Sequence, residues 1–180
     1  MRIAALALTQ RDGTTCGPSV AVMAGALLDP VYGASLARPQ GRAWFAAEQA
    51  RVHDVTNRIW PRALGTTPAG MAAAISVHSA PRGRRYRWRP WRGRRDRLAD
   101  VLAAVPAGWP VAMLVGGVIP RHWVLIVEAT GDASVFDSLA CYEPSSGEVR
   151  TVGVDAVRRA RLTGLGYPRP FAFVVPGPLL

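Results

Sequence analysis

The chain has 180 residues, 49% of them apolar and 19% charged, with a mean hydropathy of +0.11. A chain of this size and balance buries about 70% of its unfolded surface, which excludes a disordered protein and a mini-protein. It lacks a collagen period, a repeat of roughly 20–45 residues and an apolar run of about 18 residues, so solenoid and membrane-spanning readings fall too. The net charge of +10 is carried by Arg alone, since the chain has no Lys, and nine of the Arg lie between Arg82 and Arg97 beside a single acid, Asp96. That window holds +8 and the other 164 residues only +2.

One domain spanning residues 1–180 is expected. The apolar stretch Ile3 to Leu8 ends after six residues at Gln10, Arg11 and Asp12, too short for an export signal, so it is expected to form a first strand or lead-in, in a cytoplasmic protein. Cys16 and Cys141 make no disulfide framework and fit a reducing compartment. The spacing of Val20, Met23, Ala24, Leu27 and Leu28 predicts a buried helix over Pro18 to Leu28, closed by Asp29-Pro30. Further helices are expected from Arg42 to Asn57, from Pro68 to His78 behind a Thr67 cap, and from Arg97 to Val105 with Gly108 past its end. Between the last two, Ala80 to Arg95 is Arg, Gly, Pro and Trp with little apolar periodicity, which predicts a long surface loop or an irregular extended segment. After Gly108 the chain turns to short β-branched and aromatic runs: Pro110 to Val115, Trp123 to Val127, Ser134 to Phe136, Glu148 to Val152 and Phe171 to Val175. Helices first and a mainly antiparallel sheet second is an α+β layout.

The stretch Gln10-Arg11-Asp12-Gly13-Thr14-Thr15-Cys16-Gly17-Pro18-Ser19 puts a cysteine in a Gly-rich turn at the head of the first strong helix. Unpaired N–H groups and the positive helix end favour a thiolate there, and Gly17 lets a substrate carbonyl approach the backbone. A thiol nucleophile needs a base. Of His53, His78 and His122, the last opens the apolar run His122 to Val127 and is held by a strand, whereas His53 and His78 are expected to be structural or surface residues. Asp137, one hairpin further on across a turn at Ala129 to Asp132, is the expected carboxylate orienting His122; a longer hairpin would bring Glu143 there instead.

Gln10, Cys16 with Gly17-Pro18, His122-Trp123 and Val135-Phe136-Asp137 together resemble the papain-like cysteine peptidases, and within them the bacteriocin-leader-processing, double-glycine-type peptidases and their single-domain relatives. The resemblance implies a papain-like fold with the nucleophile at the start of the central helix. It implies Cys16 as nucleophile, His122 as base and acid, Asp137 as the orienting group and Gln10, with the Cys16 N–H, as oxyanion donors. Asp137 departs from the pattern in being followed by Ser138, while a Glu-Pro pair stands at Glu143-Pro144. The implied activity is hydrolysis of a peptide or isopeptide bond through an acyl-thioester; deamidation of glutamine or amide-forming acyl transfer would use the same triad.

Neither cofactor nor metal is expected, because the cysteines and histidines lack the short ligand spacings of zinc sites. The nine Arg, interleaved with Tyr86, Trp88 and Trp91, suit an acidic protein, peptide or carrier, or a solvated loop, better than nucleic acid, since no nucleic-acid fold signature accompanies them. The rival class is a non-catalytic module that binds a peptide or nucleic acid.

Overall fold

A computed structural model describes residues 6–56, 65–132 and 135–179. Among the described residues six α-helices, α1 (Cys16–Leu28), α2 (Pro30–Gly33), α3 (Gly41–Thr56), α4 (Pro68–Ser79), α5 (Ala99–Ala104) and α6 (Val154–Arg158), accompany six strands, β1 (Arg84–Pro90), β2 (Val111–Gly116), β3 (Pro120–Asp132), β4 (Val135–Glu143), β5 (Glu148–Gly153) and β6 (Arg169–Leu179). The strands form one antiparallel sheet in the order β1-β6-β2-β3-β4-β5. The chain is α+β, with N-terminal helices against a C-terminal antiparallel sheet.

The sheet separates two apolar layers. Strand β2 is buried along its whole length, and its period of two sends Ala112 and Leu114 toward α1, α3 and α4 while Val111, Met113 and Val115 face α5 and α6. Helix α1 lies at the centre of the first layer with every residue except Leu27 buried, which is why it is apolar all round instead of striped. Among the described residues no single helix is long and apolar enough to cross a membrane. Helix α4 starts where expected: Pro68 fits the first turn, and the Thr67 hydroxyl accepts the Gly70 N–H at 3.0 Å.

Several expectations need correction. The segment Ala80 to Arg95 is not a loop, because Arg84–Pro90 is the edge strand β1, paired with β6. Only Tyr86 of that strand is buried, so the alternation that marks a strand is written in Arg and Trp and leaves almost no apolar signal. The residues Ala129 to Asp132, expected as a turn, continue β3, which makes the β3–β4 hairpin longer than its apolar core. Residues 6–10 form no strand, and residues 3–5, like Asn57 and Ser134, lie outside the described residues. Asp29 does not merely close α1; its carboxylate caps α2 by accepting the Val31 and Tyr32 N–H groups.

One Arg of the cluster is half-buried and fully paired. Arg89 lies 4.8 Å over the Phe173 ring and bonds Asp96, at 2.6 Å, and Asp100, at 2.7 Å. The buried Asp96 carboxylate also accepts the backbone N–H groups of Arg92 and Leu98, and so holds Leu98 at a left-handed φ of 54° that a leucine otherwise avoids. Removing that carboxylate leaves a guanidinium that is only 12% exposed partly unpaired. Asp96→Ala is therefore expected to lower stability by about 3 kcal/mol in urea unfolding. Asp100→Ala, whose side chain is 35% exposed, should cost about 1 kcal/mol or less; equal losses would contradict this assignment.

Candidate active site

The segment before α1 is pinned from three sides. Buried Gln49 of α3 accepts the Arg11 N–H at 3.0 Å and donates to the Thr9 carbonyl, the Tyr142 hydroxyl donates to the Leu8 carbonyl at 2.6 Å, and the Gln10 N–H donates to the Pro144 carbonyl at 2.7 Å. Thr15 then closes the turn, its hydroxyl accepting the N–H groups of Arg11 and Asp12. Cys16 follows, 5% exposed, at the start of a 13-residue helix whose first N–H groups no side chain caps. Among the described residues the Cys16 and Gly17 N–H groups have no backbone partner, and Pro18 has no N–H to lose. Gly17 is obligatory: a Cβ there would lie 2.4 Å from the Thr66 Oγ1.

His122, from the head of β3, meets Cys16. Its Nε2 is 2.7 Å from the Glu143 Oε1, with the two side chains 7% and 6% exposed, which leaves Nδ1 uncommitted to that carboxylate while the Cys16 thiol lies close enough to act on the ring. The ring stacks on Tyr167 at 5.5 Å. Burial alone would disfavour the imidazolium, but its neighbours Cys16 and Glu143 outweigh it and raise the His122 pKa to about 9. Burial likewise opposes ionisation of Glu143, yet bonds from His122 and from the Ser145 and Ser146 N–H groups hold its carboxyl far below the usual range.

The carboxylate at His122 is thus Glu143 and not Asp137. Asp137 is exposed on β4 beside Ser138, which pairs with Thr130, about 26 Å along the sheet from His122 at 3.3 Å per residue. The apolar run of β3 stops at Val127 although the strand reaches Asp132, so hydropathy alone places the turn too early; register counted from Asp132 and Val135 carries the partner of His122 to the far end of β4. Gln10 does reach this end of the sheet. Its Nε2 donates to the Asp12 carbonyl at 2.7 Å and its Oε1 accepts from the Ser145 hydroxyl at 3.3 Å, which leaves one amide N–H to offer.

Cys16 lines a pocket of about 150 Å³ with Thr66, Thr67, Pro68, Arg121 and Trp123 among its walls. The Trp123 indole N–H fixes the Thr66 carbonyl at 2.9 Å, whereas among the described residues the buried Thr66 hydroxyl has no partner. No pattern in the sequence marked Thr66, Arg121 or Tyr167; only the tertiary fold gathers them. The other candidates lie elsewhere. The His78 ring packs at 4.0 Å on Tyr32 with Nδ1 3.4 Å from Asp29, His53 is buried in α3, and Cys141 is fully buried in the second layer, where burial pushes its thiol up to about 12. Among the described residues no group of three His, Cys, Asp or Glu is arranged to hold a metal ion.

No family model, no curated protein and no solved structure matches the chain. The arrangement of Cys16, His122 and Glu143 therefore carries the chemical argument by itself.

A histidine whose folded pKa is raised stabilises the fold while it is protonated, in full below its unfolded value near 6.5, and that contribution fades as pH rises through about 9. Glu143→Gln removes the charge that helps hold the proton, so the His122 pKa, followed by the NMR shift of its ring C–H, should drop by a unit or more (roughly). Asp137→Asn should leave it unmoved. The opposite ranking would restore Asp137.

Proposed function

We propose that this chain is a papain-like thiol hydrolase that cleaves a peptide or isopeptide bond through an acyl-thioester on Cys16. The observation that supports this reading is the buried imidazole of His122 set beside the Cys16 thiol on one side and bonded to Glu143 on the other. A structural histidine needs neither a thiol beside its ring nor a carboxylate fixed by two backbone N–H groups.

In the first half-reaction the Cys16 thiolate attacks the carbonyl carbon, and the carbonyl oxygen takes the negative charge. The Cys16 N–H, open at the head of α1, and the free amide N–H of Gln10 are the donors for that oxyanion. Collapse of the tetrahedral intermediate breaks the carbon–nitrogen bond while the His122 imidazolium passes its proton to the departing amine. In the second, neutral His122 takes a proton from water, the hydroxide displaces the thiolate from the acyl carbon, and the acid leaves. Glu143 stays ionised throughout and stabilises the imidazolium. An amine in place of water would give a new amide from the same intermediate. The reading implies an alkaline limit, set by loss of the imidazolium near pH 9, and an unreactive Cys141, whose thiol burial pushes up to about 12.

Alkylation by iodoacetamide, followed by mass spectrometry between about pH 4 and 9, tests it. Cys16 should react rapidly below neutrality and Cys141 should not. The advantage of Cys16 should disappear in His122→Ala. Incubation with a peptide pool in water and in heavy-oxygen water should release acids carrying the solvent oxygen, a hundredfold or more slower in Gln10→Ala if Gln10 is an oxyanion donor (roughly); products joined to an added amine would make the chain an acyltransferase. A Cys16 that alkylates like an ordinary thiol, with no turnover, would defeat the proposal.

A further inference from the structure

The nine Arg of the basic window divide by structure. Arg89 is consumed by Asp96 and Asp100, and Arg82 and Arg84 lie over the Trp109 ring at 4.2 and 5.4 Å. Among the described residues no salt bridge involves Arg85, Arg87, Arg92, Arg94, Arg95 or Arg97. Two of these, Arg85 and Arg87, line a groove of about 700 Å³ between α4 and the edge strand β1. Its apolar lining is Ala72, Ala73, Val77 and Trp88, with Val77 67% and Trp88 48% exposed, and none of the lining residues is acidic.

We propose that this groove docks an acidic peptide segment of a protein partner, with apolar side chains set on the α4 face and against Trp88 and carboxylates on Arg85 and Arg87. Charge selects the partner, because the cations at the groove wall have no carboxylate of their own. Main-chain strand addition is not the mode. Ser76 and Ser79 of α4 already occupy the outer edge of β1 at Tyr86 and Arg84, and Pro90 offers no N–H. Nucleic acid fits less well because stacking needs open rings. Tyr86 is buried with its hydroxyl on the Pro110 carbonyl, Trp91 packs on the second core layer, and of the three aromatics in the window only Trp88 is exposed. A second copy of this chain is a poor occupant, since no two of its 12 acids lie within three positions of each other.

Docking does not depend on Cys16 chemistry, so it is measured in the Cys16→Ala chain. The probes are fluorescein-labelled peptides of about twelve residues in which Glu alternates with Ala, Val or Leu, their Gln counterparts, and an oligothymidylate of about twenty nucleotides, read by anisotropy at low and physiological salt. The Glu peptides should bind, the Gln peptides should bind at least about tenfold more weakly, and either R85E with R87E or Trp88→Ala should weaken binding by about tenfold. R38E with R161E, an equal change of charge at two exposed Arg outside the groove lining, should not. Failure of every Glu peptide to bind, equal loss in the R38E and R161E control, or tighter binding of the oligothymidylate abolished by R85E with R87E would overturn the proposal. Concentration-dependent dimerisation lost in R85E with R87E would overturn it in favour of self-association. Thermal unfolding at an unchanged midpoint shows that the variants remain folded.

Discussion

A positive charge at His122 is sustainable only because the Glu143 carboxylate faces it inside the protein. An imidazolium with a 7% exposed side chain has lost nearly all its water, and desolvation of this kind favours the neutral ring. Glu143 reverses the balance, but a buried carboxylate brings its own desolvation problem. The turn after β4 solves it: Ser145 and Ser146 turn their N–H groups onto the two carboxylate oxygens, the Ser146 hydroxyl adds a third bond, and Gly147 at φ 73° closes the reversal that makes this geometry possible. The proton on His122 thus depends on a five-residue turn.

That turn also organises the nucleophile's side. Pro144 accepts the Gln10 N–H and the Ser145 hydroxyl reaches the Gln10 amide, so the carboxylate and the loop leading to Cys16 are fastened to each other. Gln49 and Tyr142 fasten the same loop to α3 and β4. Groups mounted this way lose little further freedom when a substrate arrives, which is how preorganisation lowers a barrier. Gly17 belongs to the same logic, since its missing side chain lets the first turn of α1 lie against Thr66 and brings the α4 entry to the edge of the cysteine pocket.

How much of this can be read from the residues depends on whether the signal is local. The helix at Cys16, the Thr67 cap of α4 and the all-buried β2 are visible because burial and capping leave periodic or positional marks within a few residues. The order Gln10, Cys16, His122 is visible because a thiol at a helix head and a histidine at a strand head each have a local meaning. Glu143 is harder. Its pairing with His122 is a matter of register across a hairpin whose outer third is polar, and a carboxylate does not announce which neighbour it will face. Tyr167 and Thr66 reach the site through tertiary packing alone, which a single sequence does not encode by spacing.

The Arg cluster shows the same limit from the other direction, since nine similar residues hide three different physical roles. Arg89 is half-buried over Phe173, and its neutralisation by Asp96 and Asp100 lets the strand pack there. Arg82 and Arg84 cover Trp109. Charge on an edge strand also discourages pairing with another chain, and β1 uses Arg85 and Arg87 this way together with Pro90 and the two serines of α4. Edge protection, however, needs no apolar groove beside the charges and no half-exposed indole at its end. Nor does it explain Arg92, Arg94, Arg95 and Arg97, which follow the strand and carry no salt bridge among the described residues. Like charges held this close repel one another, and a fold that keeps them unpaired gains from the arrangement only when an opposite charge arrives from outside.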